Sequence, residues 1–96
     1  MTYALYAEFT AVPGADAEVA ALVAGLTEKV RAEPGCVTFA PHTLDSNPRH
    51  WFVYEVYADE AAFQKHISAR YGAVFNAALA PLIEEDGSQL TWLVPR

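Results

Sequence analysis

The feature that most constrains this chain is the order in which two hydrophobic periods alternate along its 96 residues. Met1 to Thr10 runs with period two. Tyr3, Leu5, Ala7 and Phe9 fall on one face, and Ala4, Tyr6 and Glu8 on the other. The second set is not very polar, so this strand is expected to be covered on both sides. Pro13-Gly14 breaks it, and from Asp16 to Arg31 the period becomes helical. Val19, Leu22, Val23, Leu26 and Val30 form one apolar stripe. Asp16 and Glu18 in the first turn and Lys29 and Arg31 in the last complement the helix dipole, and Glu33-Pro34-Gly35 stops the helix.

Cys36 to Leu44 returns to strand character, although Pro41 confines its middle to an edge or a bulge. Asp45 to Arg49 has turn composition, and Trp51 to Ala58 is the clearest strand, dense in aromatic and β-branched residues. The two are expected to form a hairpin with a loop of about five residues. Asp59 is placed to cap a helix whose Ala62, Phe63, His66 and Ile67 share a face. A second helical run starts at Arg70 and carries Tyr71, Val74, Phe75, Ala78, Leu79 and Leu82, with Gly72 and Pro81 as weak points. Glu84-Glu85-Asp86-Gly87 reads as a solvated acidic turn, and Gln89 to Val94 as a last strand.

The sum is βαββαβ, an α+β chain of the ferredoxin-like kind, with residues 1–96 as a single domain. It predicts a four-stranded antiparallel sheet with helices on one face. Tyr6, Phe52, Tyr54 and Val56 would line the bare face. The simplest cover is an identical chain across a two-fold axis, giving a homodimer of the dimeric α+β barrel type.

Composition narrows the partners. Twelve Asp and Glu against six Lys and Arg give a formal charge of −6, which disfavours nucleic acid and anionic membrane surfaces. At 53% hydrophobic the chain is far from disordered. A body this small buries only about 60–65% of its unfolded surface, so part of the apolar excess is expected in an interface or a pocket. The lone Cys36 excludes an internal disulfide and a cysteine-rich zinc site, and is expected as a buried strand residue. With no secretory leader pattern and no apolar run of about 20 residues, the expected location is cytoplasmic.

No phosphate loop, dinucleotide fingerprint, nucleophile elbow or paired-histidine metal motif occurs. His42, His50 and His66 are not spaced as metal ligands, so no metal site is expected. His66 shares a helix face with Phe63 and Ile67 and should point at the sheet. Trp51, Val53, Glu55 and Tyr57 share one face of the central strand by parity, which would bring Glu55 and Tyr57 towards His66. A carboxylate beside an imidazole fixes its tautomer and suits it to proton transfer. The same pattern also describes a core histidine satisfied by Glu55. Tyr57, Phe63, Tyr71, Phe75 and Trp92 equally describe the wall of a pocket for a flat ring or an ordinary core. Asn76, beside Phe75, could bond a ligand oxygen or face solvent.

The run Glu33-Pro34-Gly35-Cys36, the strand Tyr54-Glu55-Val56-Tyr57, the stretch Ala58 to His66, and Phe75 with Ala80-Pro81-Leu82 resemble the antibiotic biosynthesis monooxygenase family over nearly the whole chain. The resemblance implies a dimer of ferredoxin-like subunits, each with a pocket between sheet and helices. It also implies oxidation of phenolic or quinol-type aromatics by O2 without flavin, haem or metal, as in a quinol monooxygenase. Glu55, Tyr57 and His66 match by position, with Phe75 as a wall. The expected assignment makes His66 the base, oriented by Glu55, with Tyr57 and Asn76 donating to the developing oxyanion. Trp51, Phe63, Tyr71, Phe75 and Trp92 are the expected substrate contacts, and no cofactor is expected. A haem-degrading branch uses Asn, Trp and His where this chain has Ala7, Tyr57 and Asn76, so that activity is not implied. A sugar-phosphate isomerase branch needs clustered cations, which the sequence lacks. The competing expectation is a non-catalytic dimer that binds a small ligand or assists a stress response.

Overall fold

Parity and helical spacing place most elements where the local pattern puts them. The computed structural model describes residues 2–96, so Met1, expected to open the first strand, lies outside the described residues. The elements are β1 (Tyr3–Thr10), α1 (Asp16–Arg31), β2 (Cys36–Leu44), β3 (Asn47–Tyr57), α2 (Glu60–Ser68), α3 (Arg70–Leu79), a 3₁₀ turn (Ala80–Leu82) and β4 (Gln89–Leu93). The sheet is antiparallel in the order β2-β3-β1-β4. The helices lie on one face, the ferredoxin-like α+β arrangement. No described helix is long and apolar enough to cross a membrane.

Leu5, Ala7 and Phe9 of β1 and Val53, Glu55 and Tyr57 of β3 turn inwards, under Val19, Val23 and Val30 of α1 and Phe75 and Leu79 of α3. On the opposite face Tyr6 stacks on Phe52 with ring centroids 4.5 Å apart, and neighbouring Tyr54 is 38% exposed. Pro41 is tolerated because β2 is an edge strand, where a missing N–H breaks no ladder on its outer side.

Three local expectations need correction. The β2–β3 loop is shorter than the turn-forming composition suggests. Leu44 pairs with Asn47, so only Asp45 and Ser46 connect the strands, and a bulge between Thr43 and Leu44 absorbs the irregularity. Pro48 fits inside β3 because pairing with β1 ends at His50, so no β1 partner is opposite it. By contrast, the weak point expected at Pro81 is where the second helical run stops: α3 ends at Leu79 and tightens into the 3₁₀ turn, since Pro81 has no N–H to continue the α pattern. Cys36 is half-buried rather than buried, and burial, with Glu33 and Glu55 nearby, raises its thiol above the usual range.

The third correction concerns the acidic turn, part of which is built into the structure. Pairing of β1 with β4 covers only Ala4 to Glu8, so the Thr10 amide needs another acceptor. Glu85 supplies it. Its Oε1 accepts from the Thr10 N–H at 2.7 Å, and its Oε2 accepts from the Thr10 hydroxyl at 2.8 Å. Partial burial alone would raise the Glu85 carboxyl, but these bonds outweigh it and hold the group below its ordinary range. Thr10 Oγ1 also meets His50 Nδ1 at 2.9 Å, and His50 Nε2 meets Glu8 at 2.9 Å. Together these contacts tie the segment before β4 to the end of β1.

Candidate functional site

The site begins where α1 stops. Cys36 N–H donates to the Glu33 carbonyl at 3.1 Å, and Ala58 N–H donates to the Gly35 carbonyl at 2.8 Å. This presses the Glu33-Pro34-Gly35 turn against the start of α2. Gly35 is required there for space: a Cβ on it would collide with Cβ of Ala62. Asp59 fixes the start of α2, its carboxylate accepting from the Ala62 N–H at 2.8 Å. Ala62 and His66 are four residues apart and share a face. The turn that packs on Ala62 therefore carries Glu33 to His66.

His66 Nδ1 lies 3.1 Å from Glu33 Oε2. A carboxylate can only accept, so Nδ1 is the protonated nitrogen and donates. His66 Nε2 is 3.8 Å from Glu55 Oε1, beyond hydrogen-bond range. Glu55 Oε1 instead accepts the Tyr57 hydroxyl at 2.7 Å. Burial pushes the Glu55 carboxyl above its ordinary range, opposed in part by the Tyr57 hydrogen bond and by His66. Burial, then the neighbouring Glu55, raises the Tyr57 phenol far beyond its usual range, so Tyr57 acts as a donor that does not ionise.

Glu55 and His66 border a cavity of about 410 Å³ between sheet and helices. Its apolar lining includes Leu5, Phe39, Val53, Phe63, Phe75 and Leu79, and its polar lining includes Glu55, His66, Asn76, Asp86 and Ser88. That volume lies within the range of small-molecule sites, and an apolar wall with a few convergent polar groups is their usual make-up. Among the described residues no three His, Cys, Asp or Glu side chains are grouped as metal ligands.

Of the residues singled out in the sequence, Glu55, His66, Asn76, Phe63 and Phe75 line this cavity, and four others do not. Tyr57 is completely buried, with its hydroxyl already donated to Glu55, so it has no donor to offer a ligand oxyanion. Trp51 lies on the inward face, but four residues along a strand from Glu55 is about 13 Å. It stacks on Phe9 at 6.2 Å and lines an open groove between α1 and β2. Tyr71 turns towards α1, with Lys29 Nζ 5.7 Å from its ring centre and its buried hydroxyl unpartnered. Trp92 stands on the edge strand, half exposed, packing edge-on to Phe63 at 5.0 Å and to Tyr3 at 5.2 Å. It braces the wall from outside.

Glu33 is the residue that sequence reasoning missed as a site member. The expected orienting partner of His66 was Glu55, but Glu33 makes the hydrogen bond, and Glu55 faces the cavity beside the free nitrogen. The one available signal was glycine two residues after Glu33, which marks a close approach without revealing what is approached.

The sheet-and-helix architecture, with a cavity bordered by the Glu55 carboxyl and the His66 imidazole, defines a small α+β protein of ferredoxin-like fold. The antibiotic biosynthesis monooxygenase family model matches residues 2–78, and the chain belongs to that family. Solved structures agree on the fold. Rv0793 from Mycobacterium tuberculosis is 22% identical with a TM-score of 0.91, covering 100% of this chain and 96% of that one. A conserved protein from Methanosarcina mazei Go1 is 18% identical with a TM-score of 0.93, covering 100% and 94%. A structure described as an antibiotic biosynthesis monooxygenase is 22% identical with a TM-score of 0.91, covering 100% and 99%. No curated protein matches the sequence.

Proposed function

We propose that the protein is a cofactor-independent monooxygenase that oxidises a small phenolic or quinol-type aromatic with O2. The observation that carries this reading is His66 Nε2. It is left without a hydrogen-bond partner at the edge of an apolar cavity, while Glu33 holds the other ring nitrogen as a donor. In the neutral tautomer set by Glu33, Nε2 presents a lone pair to the chamber.

The chemistry asks little else of the protein. A hydroxylated ring transfers its O–H proton to His66 Nε2, and the electron-rich anion gives one electron to O2. Recombination of the radical pair forms a C–O bond and, with a returned proton, a hydroperoxide. His66 then takes the proton from the carbon bearing the peroxide. The O–O bond breaks, a carbonyl forms, and the leaving hydroxide collects a proton as water. A quinol and O2 thus give a hydroxylated quinone and water, with all four electrons supplied by the substrate. Glu55, whose carboxyl burial raises, lies 3.8 Å from His66 Nε2 and in this reading is a second proton acceptor or donor for the substrate, while Asn76 donates to the oxyanion. The apolar walls lower the polarity around the intermediates. In the same reading two copies clasp their exposed aromatic sheet faces as a homodimer. Stacked Tyr6 and Phe52 and the exposed Tyr54 support that arrangement.

The test is O2 uptake with 1,4-dihydroxynaphthalene and anthrone, corrected for autoxidation. A positioned general base contributes roughly 10²–10⁴-fold, so His66→Ala should lose at least about 100-fold. Uptake unchanged in His66→Ala would overturn the assignment. No uptake with any hydroxylated ring, alongside tight binding, would identify a non-catalytic binding protein.

A further inference from the structure

The charges around the chamber restrict what can enter it. This inference rests on the ligand-binding part of the reading above and is independent of the oxygen chemistry. None of the six Lys and Arg residues lines the cavity, and among the described residues its only titratable lining groups are Glu55, His66 and Asp86. Three of these cations are engaged elsewhere, and Lys65 and Arg70, on α2 and α3, are not among the lining residues. Arg31 donates to the Phe39 carbonyl at 2.9 and 3.1 Å, and Arg49 donates to the Ala11 carbonyl and to Glu84 at 2.9 and 3.1 Å. Lys29 lies over Tyr71.

His66 does not change this balance. Its Nδ1 is held by the Glu33 carboxylate, and its Nε2 stands beside Glu55. With Glu33 ionised, every distribution of protons over His66 and Glu55 leaves the three groups neutral or negative in sum. Asp86 adds a carboxylate on the segment preceding β4. A carboxylate, sulfonate or phosphate on a ligand would lose its water among phenylalanine and leucine side chains and gain no net cation in return. A phenolic hydroxyl meets the opposite situation, because the His66 lone pair and the Glu55 oxygens can accept its hydrogen.

We propose that the cavity selects uncharged hydroxylated aromatics and rejects those bearing an acidic group, with the hydroxyl seated between Glu55 and His66. Calorimetric titration of the intact protein with 2-naphthol and with 6-hydroxy-2-naphthoic acid at neutral pH tests this directly. 2-Naphthol should bind, and the carboxylated analogue at least about tenfold more weakly, a difference of 1.4 kcal/mol. Asp86→Lys, a change at an exposed position on the lining, should narrow that gap by about threefold or more, because it replaces a repulsive charge with an attractive one. Equal affinity for the two ligands, an unchanged gap in Asp86→Lys, or no binding of 2-naphthol would each overturn the proposal. Oxygen uptake is read separately. Selective binding without uptake would remove the oxygenase reading and leave this one intact.

Discussion

Gly35→Ala probes the contact on which the whole site depends. Gly14 is the only described glycine with positive φ, so alanine at position 35 meets no backbone strain, only the Ala62 Cβ in its way. The turn must withdraw from α2 or push α2 aside. Overpacking of this kind costs about 1–3 kcal/mol. The same shift weakens the Ala58 N–H to Gly35 carbonyl bond, about 1 kcal/mol when lost. A total near 2 kcal/mol lowers Tm by about 8–16 °C in a domain of this size. Ala62→Gly alone costs up to about 1 kcal/mol through helix propensity. The double variant removes the collision, so it should be more stable than Gly35→Ala, with a coupling energy of about 1–2 kcal/mol. Urea denaturation of the four proteins measures that coupling, and binding of 2-naphthol follows whether Glu33 still holds His66. If the two costs simply add, Gly35 does not dock on Ala62, and the account of how Glu33 reaches His66 fails.

Three further outcomes are expected. Tyr57→Phe should cost about 1–3 kcal/mol by stripping the buried Glu55 oxygen of its donor. Because burial raises the Glu55 carboxyl, the stability it confers is complete below the ordinary carboxylate range and lost as pH rises through the raised value; Tyr57→Phe raises it further. Denaturation across acid to neutral pH should therefore show a steeper fall, which Glu55→Gln abolishes. Thr10→Val should cost about 1 kcal/mol at neutral pH. Glu85 is held low, so its contribution is present above the ordinary carboxylate range and lost as pH falls through the depressed value. Without the hydroxyl, that acid-side loss should be shallower in the same assay. Tyr54→Asp should halve the mass seen by light scattering, since a carboxylate would be stranded in an apolar seam; an unchanged mass would argue against the face-to-face dimer.

The chain's own pattern determined the order and type of the elements, the cap at Asp59 and the inward faces of β1, α1 and β3. These follow from side-chain periods of two and 3.6, which are properties of neighbouring residues. It also brought Glu55 and His66 to one side of the sheet, because strand parity and helix phase are local too. Distance is not. Trp51 and Glu55 share a face yet serve different cavities, and Trp92 has the right parity on an exposed edge strand, where it packs on the outer side of Phe63. The tertiary structure alone decided that Glu33, not Glu55, bonds His66, that the Tyr57 hydroxyl is already taken, and that Glu85 anchors a segment which looked merely solvated. Each of these depends on which turn packs against which helix or strand end. That is settled by steric fit and by unpaired backbone groups many residues apart, where no periodicity in the sequence reaches.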